Sequence, residues 1–170
     1  INAAGRVASA RKAVELLITT SADAAHEWTE TINQDNSDRK EFDKQATEQA
    51  LALIADSELL QKKKTTVVYN PDWHKGVVGI VASRLTEKYY KPTIVLTQSN
   101  GMISGSARSV KDFDVYEAIN TCADLLEQFG GHKYAAGLTL KPENLEAFAI
   151  KFEEVVSATI KDYMLVPEII

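Results

Sequence analysis

Between Thr65 and Thr97 the chain changes texture in an order that leaves few folds open. TTVVY (65–69) is β-branched and aromatic, the composition of a strand, and Asn70-Pro71-Asp72 behind it is turn chemistry. HKGVVGIVASRLTEKYY (74–90) then reads as a mostly buried helix, Pro92 ends it, and TIVLT (93–97) is a second strand. Two strands joined through a helix are joined by a crossover, which makes them parallel members of one sheet. On the helix between them, Gly76, Gly79 and Ser83 fall at i, i+3 and i+7. That stripe of small residues suits close packing against a neighbouring backbone.

The pattern continues downstream. Ser99-Asn100-Gly101 is a hairpin-like turn leading into MISGSARS (102–109), a third extended segment with small residues in its middle. Asp114 and Glu117 form a capping box for a helix whose face carries Val115, Ala118, Ile119, Cys122, Leu126 and Phe129. Residues 134–140 return as a strand. Pro142 occupies a first helical position, ahead of an amphipathic face of Leu145, Phe148, Phe152, Val155 and Val156. The order is that of an α/β fold, a small mixed sheet of about four or five strands flanked by helices.

The first sixty-one residues differ: they read as an all-helical connector. Residues 7–20 form one helix, and Ser21 caps a second that carries Trp28 and Ile32 and stops near the polar stretch 33–37. Ser37 caps a third helix, continued by good helix formers over 40–60. The expected organisation is a connector over 1–61, an α/β domain over 62–161, and the start of a linker over 162–170, where the apolar tail YMLVPEII lies. The chain opens on INAAGR without an initiator Met, as expected of a piece of a longer protein.

Composition excludes several classes. With 45% apolar and 25% charged residues the chain has material for a core, no apolar run approaches a membrane span, and no basic-then-apolar leader is present. One cysteine, Cys122, rules out an internal disulfide and fits a reducing, cytoplasmic setting; its place on an apolar helical face is that of a core thiol. The net charge of −5 is unevenly spread. Residues 62–112 hold nine Lys and Arg against three Asp and Glu, between acidic flanks on both sides. A basic middle can be a footprint for phosphate, although Lys62, Lys63 and Lys64 supply half its excess and serve equally as a solvated helix end.

Candidate chemistry gathers at a few places. In the extended GSARS, residues two apart face the same way, so Ser106 and Arg108 project together over surroundings kept low by Gly105 and Ala107. A hydroxyl beside a planar fork of donors suits a phosphate; an arginine paired to a surface carboxylate is the plain alternative. In GGHKYAAG, Gly130 and Gly131 free the backbone to gather N–H groups into an anion nest, or merely end a helix, and His132 adds a donor or titratable group. Arg6 is a further phosphate candidate or a solvated charge. His74 is a phosphate ligand or a turn residue ahead of the helix. Arg84 reads as an ion-pair partner, and Trp28 and Trp73 as core. His26, His74 and His132 are far apart, and no Asp-His-His run supplies the ligands that two-metal hydrolysis needs.

Four of these stretches together carry a resemblance. GGHKYAAG is similar to the GGHxxAAG signature of the accessory domain found beside the DHH phosphodiesterase domain. INAAGR (1–6), WHKGVVGIVASRL (73–85) and GSARS (105–109) resemble, in order and spacing, motifs of the RecJ family of single-strand-specific DNA exonucleases, with similarity reaching about Phe152. The resemblance implies the substrate-binding half of an enzyme of DNA repair and recombination that degrades single-stranded DNA 5′ to 3′. Ser106 and Arg108 would hold the terminal 5′-phosphate and Arg6 would face the DNA path; His74, Gly130, Gly131 and His132 are the further substrate-binding candidates beside them. It further implies Mn²⁺ or Mg²⁺ bound by a catalytic DHH domain of the same chain, so that neither catalytic residues nor metal ligands are expected here and this piece alone is inactive. The tail resembles the approach to a nucleic-acid-binding barrel. Two other readings share part of the signal: a DHH-family phosphodiesterase for cyclic dinucleotides or short RNA, against which INAAGR and the 73–85 stretch argue, and a non-catalytic RNA-binding module.

Overall fold

In the computed structural model, which describes residues 3–167, the chain opens with four helices: α1 (Ala4–Val7), α2 (Arg11–Ile18), α3 (Ala22–Ala55) and α4 (Glu58–Lys62). Ile1 and Asn2 of the INAAGR stretch lie outside the described residues, as do the last three residues of the tail. The single helix expected over 7–20 is instead two. Ala8 is extended (φ −143°), and the Ser9 hydroxyl takes the Arg11 N–H, a local bond that competes with helix.

Ser21 caps α3 as expected, accepting from the Ala24 N–H. The expected stop at 33–37 is absent: α3 runs unbroken for 34 residues. The polar residues that favour a break find partners along the helix. Gln34 donates to Asp38 (2.7 Å), the Ser37 hydroxyl to the Asn33 carbonyl, and Arg39 reaches both Asn36 and Asp43. The expected 40–60 helix likewise ends at Ala55, and Ser57 caps the separate α4. The first half of α3 packs through Ile32 on Ala4 and Ala13; its second half presents Ala46, Ala50 and Ile54 to the α/β part.

The crossover is as expected. β1 (Thr66–Tyr69) pairs in parallel with β2 (Thr93–Ser99), joined through α5 (Val78–Tyr89). The helix begins at Val78, not His74, because residues 74–77 form a turn in which His74 Nδ1 accepts the Gly76 N–H at 3.0 Å. It ends on Tyr90 in the left-handed region (φ 50°), ahead of Pro92. Asn100 and Gly101, both at positive φ, make the two-residue turn into β3 (Met102–Arg108). The Asp114 side chain caps α6 (Val115–Asn120), but that helix is short. Cys122 follows it and Phe129 belongs to a strand, so the expected continuous helical face does not form. The strand is β4 (Gln128–His132), which pairs with β5 (Ala135–Leu140). Its two glycines carry almost no strand propensity, which is why the sequence hides it. Pro142 opens a short 3₁₀ turn, and α7 (Leu145–Thr159) completes the fold.

The five strands lie in the order β1-β2-β3-β5-β4. One face, with Ile94, Leu96, Ile103, Ala107, Leu138 and Leu140, packs on α6 and α7 through Ile119, Phe148, Phe152 and Val156. Cys122 is fully buried in this core, and burial pushes its thiol up to about 11. The opposite face contributes Val68 and Val95 to a second core with Val77, Val81 and Leu85 around α5, and Ala46 and Ala50 of α3. A latch ties the helices to the sheet. The Glu153 carboxylate of α7 accepts the N–H groups of Lys64 (2.9 Å) and Thr65 (3.0 Å) and the Thr65 hydroxyl, while Lys91 donates to the carbonyls of Gln61 and Lys63. No helix among the described residues is long and apolar enough to cross a membrane.

Candidate nucleic-acid interface

Strand alternation sorts the motifs onto one side of the sheet. Ser106 stands opposite Val95, a member of the α5-side core, so Ser104, Ser106 and Arg108 share that side. The register carries it outward: Ser106 opposes Gly137 and Gly137 opposes Gly130, while Arg108 opposes Ala135 and Ala135 opposes His132. α5 packs on β2 and β3. Beyond it, over β5 and β4, lies a floor whose central row, Gly137 and Gly130, has no side chains, between Thr139 and Gln128 on one side and Ala135 and His132 on the other. A Cβ built on Gly130 meets nothing within 4 Å, and one on Gly137 meets only the Gly105 carbonyl at 3.9 Å. A cleft of about 410 Å³ stands over this floor, with Lys75 and Gln128 at its margins. The sequence names the GSARS and GGHKYAAG motifs separately; the sheet makes them adjacent rows.

Arg108 is held at the inner end of the floor. Its Nη1 donates to Ser106 Oγ (2.8 Å) and to the Ala107 carbonyl (2.7 Å), and its Nε to Ser83 Oγ (3.2 Å). Among the described residues it forms no ion pair with a carboxylate, so the surface ion pair open to it from sequence is not formed. Burial lowers its pKa first, and the charge of Arg6 lowers it further. Arg6 is exposed, with Nη1 3.5 Å from the Gly76 carbonyl. Gly76 lets α1 come so near: a Cβ there would lie 1.8 Å from the Arg6 carbonyl oxygen. Gly76 therefore leaves the expected helical stripe, whereas Gly79 and Ser83, one turn apart on α5, both face Arg108. Two guanidiniums close enough to repel, one fixed by hydroxyls, with no acid among the described residues paired to either, make a place where an anion relieves the repulsion.

The remaining candidates separate. His74 is the turn residue ahead of the helix: Nδ1 takes the Gly76 N–H, and the ring stacks on Phe42 with centroids 5.0 Å apart. His132 is exposed at the outer end of β4, its Nδ1 accepting the Tyr134 N–H at 3.3 Å. The nest expected of Gly130 and Gly131 does not form, nor does a helix end there; both lie in an edge strand. Gly131 sits at φ +153°, where a Cβ would meet the Ala135 carbonyl oxygen at 2.3 Å, so this position requires glycine. Arg84 is the expected ion-pair partner, bound to Asp43 through Nη2 (2.9 Å) and Nε (3.2 Å). Trp73 is buried, its Nε1 donating to Gln49, and Trp28 is half-buried. Sequence reasoning treats Ser83 as packing only; its i+4 spacing from Gly79 is the signal for a role at Arg108. Among the described residues no three His, Cys, Asp or Glu gather as a metal site.

A small mixed sheet with this pairing of motifs defines a recognised class. Residues 62–158 match the family described as the DHHA1 domain, and the chain belongs to that family. Over nearly its whole length it is similar to proteins called single-stranded-DNA-specific exonuclease RecJ. It is 36% identical over 169 residues to the one from Bacillus subtilis, which covers 98% of this chain and 21% of that protein. It is 35% identical over 164 residues to the one from Haemophilus influenzae, covering 92% and 28%. The crystal structure of RecJ from Thermus thermophilus in complex with Mn²⁺ matches with a TM-score of 0.84 at 31% identity, over 95% of this chain and 24% of that one. That of the same protein with Mg²⁺ also gives 0.84. The chain thus spans about a quarter of the length of these relatives.

Proposed function

We propose that this chain is the strand-holding part of a RecJ-type exonuclease that degrades single-stranded DNA 5′ to 3′ in repair and recombination in the cytoplasm. In this reading residues 1–61 connect to a catalytic DHH domain of the same polypeptide, residues 62–161 hold the substrate, and 162–170 begin a linker. The DHH domain carries Mn²⁺ or Mg²⁺ and does the cutting; this chain alone does not cut. The observation that carries the proposal is Arg108, fixed by Ser106 and Ser83 and loaded by Arg6, with no carboxylate among the described residues to neutralise it, at the end of an open floor. Ser106 and Arg108 take the terminal 5′-phosphate. Gly137 and Gly130 let the sugar–phosphate backbone lie against the sheet, with His132 and Lys75 at its edges and His74 bracing the turn at Gly76, against which Arg6 rests.

The test compares 5′-phosphorylated with 5′-hydroxyl oligonucleotides, bound by the full-length protein and by its variants. A terminal phosphate carries more charge than an internal diester. A charge-assisted hydrogen bond is worth roughly 1.5–3 kcal/mol, about tenfold or more in affinity. The protein prefers the phosphorylated strand, Arg108→Ala erases the preference, and Ser106→Ala reduces it. Equal weakening of both ligands by Arg108→Ala would reduce Arg108 to an ordinary backbone contact and refute the proposal.

A further inference from the structure

Arg6 has a second side. Away from Arg108, a cleft of about 600 Å³ opens between α1, α3 and α5, walled by Arg6, Ile32, Asn33, Asn36, Arg39 and Ile80. We infer that this cleft is a second nucleotide subsite, taking the base and phosphodiester of the nucleotide that follows the phosphorylated end. The inference rests on the reading that Ser106 and Arg108 hold that end.

Position argues for it first. Gly79 lies against Ser106 and Arg108, and the next residue on the helix, Ile80, lines the cleft. Arg6 belongs to the cleft wall and acts on Arg108 through its charge. The two places therefore flank one turn of α5 and share an arginine, as successive phosphates of one strand require.

The chemistry of the wall argues for it next. Asn33 and Asn36 are one helical turn apart on the same face of α3. Asn36 Oδ1 accepts from both Nε and Nη2 of Arg39 at 3.3 Å, which occupies the amide oxygen and leaves the NH₂ to donate into the cleft. The Asn33 side chain makes no hydrogen bond among the described residues. Asp43 is the carboxylate facing Arg39, at 3.8 Å, and it is already bound bidentately by Arg84. One carboxylate between two guanidiniums leaves positive charge over, and Arg6 adds to it. Ile32 and Ile80 supply an apolar wall for a base between these donors. The same residues, 33–38, are those whose composition favours breaking the helix; within the fold Asn36 is used through its oxygen, by Arg39, and not through its NH₂, and the Asn33 amide is not used. A base edge offering acceptors suits the asparagine NH₂ groups, and a phosphodiester suits the guanidiniums.

The experiment measures binding of 5′-phosphorylated mono-, di- and trinucleotides of thymidine to the full-length protein, with divalent metal removed by chelation so that no strand is cut. Wild type gains about tenfold in affinity from mononucleotide to dinucleotide, the worth of one or two such bonds. The double variant Asn33→Ala/Asn36→Ala loses that gain and keeps its preference for a 5′-phosphate over a 5′-hydroxyl. Alanine is the better helix former, so α3 is retained, which the far-ultraviolet spectrum and thermal midpoint verify. Asn36→Asp, of the same shape but unable to donate, loses the gain as well. A double variant that keeps both the preference and the full gain overturns the subsite alone. A wild type with no preference for the 5′-phosphate overturns the terminal-phosphate reading, and the subsite with it.

Discussion

Gly130 and Gly131 are neighbours in one strand with opposite requirements, and replacing each by alanine separates fold from function. At Gly131 the added Cβ would lie 2.3 Å from the Ala135 carbonyl oxygen and 2.5 Å from Ala136 Cα, both backbone atoms of the paired strand. Restoring ordinary contact needs β4 and β5 to part by about 1 Å, and the residue sits at φ +153°. Overlap and backbone strain together cost about 3 kcal/mol, which in a chain of this size lowers the thermal midpoint by about 6–12 °C. At Gly130 no heavy atom lies within 4 Å and no positive φ is required. Alanine there reduces the freedom of the unfolded chain and stabilises by about 0.5 kcal/mol. Its methyl nevertheless stands up from the floor on the row shared with Ser106 and Gly137. Gly130→Ala therefore raises the thermal midpoint by about 1–2 °C and weakens binding of a 5′-phosphorylated oligonucleotide several-fold, measured by fluorescence anisotropy. If Gly130→Ala binds the strand as wild type does, the strand does not lie on this floor. If the two variants melt alike, the strand geometry is not what separates them.

Two further predictions concern the parts that hold the site in place. Glu153→Ala removes the acceptor for two backbone N–H groups and a hydroxyl at the start of β1 and loses about 3 kcal/mol in denaturant unfolding, with Glu153→Gln intermediate; a loss under about 1 kcal/mol would mean water takes over the latch. Cys122, fully buried with its thiol raised to about 11, stays unmodified by a thiol reagent at pH 8 in the folded protein and reacts once the chain is denatured; rapid labelling of the folded protein would contradict its place in the core.

What the sequence makes legible here is what depends on near neighbours. The same-side projection of Ser106 and Arg108 follows from period-2 alternation, the β2–β3 turn from Asn100-Gly101, and the start of α3 from Ser21. What it hides depends on partners far along the chain. Gln128 to His132 is a strand because β5 lies beside it, a pairing that local propensity does not register. The polar run 33–38 stays helical because Lys12, Arg39 and the packing of Ile32 hold it, against its own preference. Ser83 becomes part of the site only because α5 crosses β3 at Arg108. The resemblance in four short motifs supplies their joint meaning, while their arrangement as rows of one floor comes from the sheet register.

The contact at Gly76 closes a triangle. α1 rests on α3 through Ala4 and Ile32, α3 rests on α5 through Ala46 and Ala50, and the turn leading into α5 rests on the Arg6 carbonyl of α1. The long side of this triangle, α3, extends about 50 Å, so a tilt of 5° at one end would displace the other by about 4 Å if it were braced at one point only. Bracing at two points removes that freedom. Three stiff members joined at three nodes form a truss, whose shape changes only if a member bends or a node opens. The truss therefore ties Arg6 to α5, the helix whose Gly79 and Ser83 face Arg108 on β3, and the node at Gly76, where one hydrogen atom stands in place of a side chain, is the one through which that tie would be released.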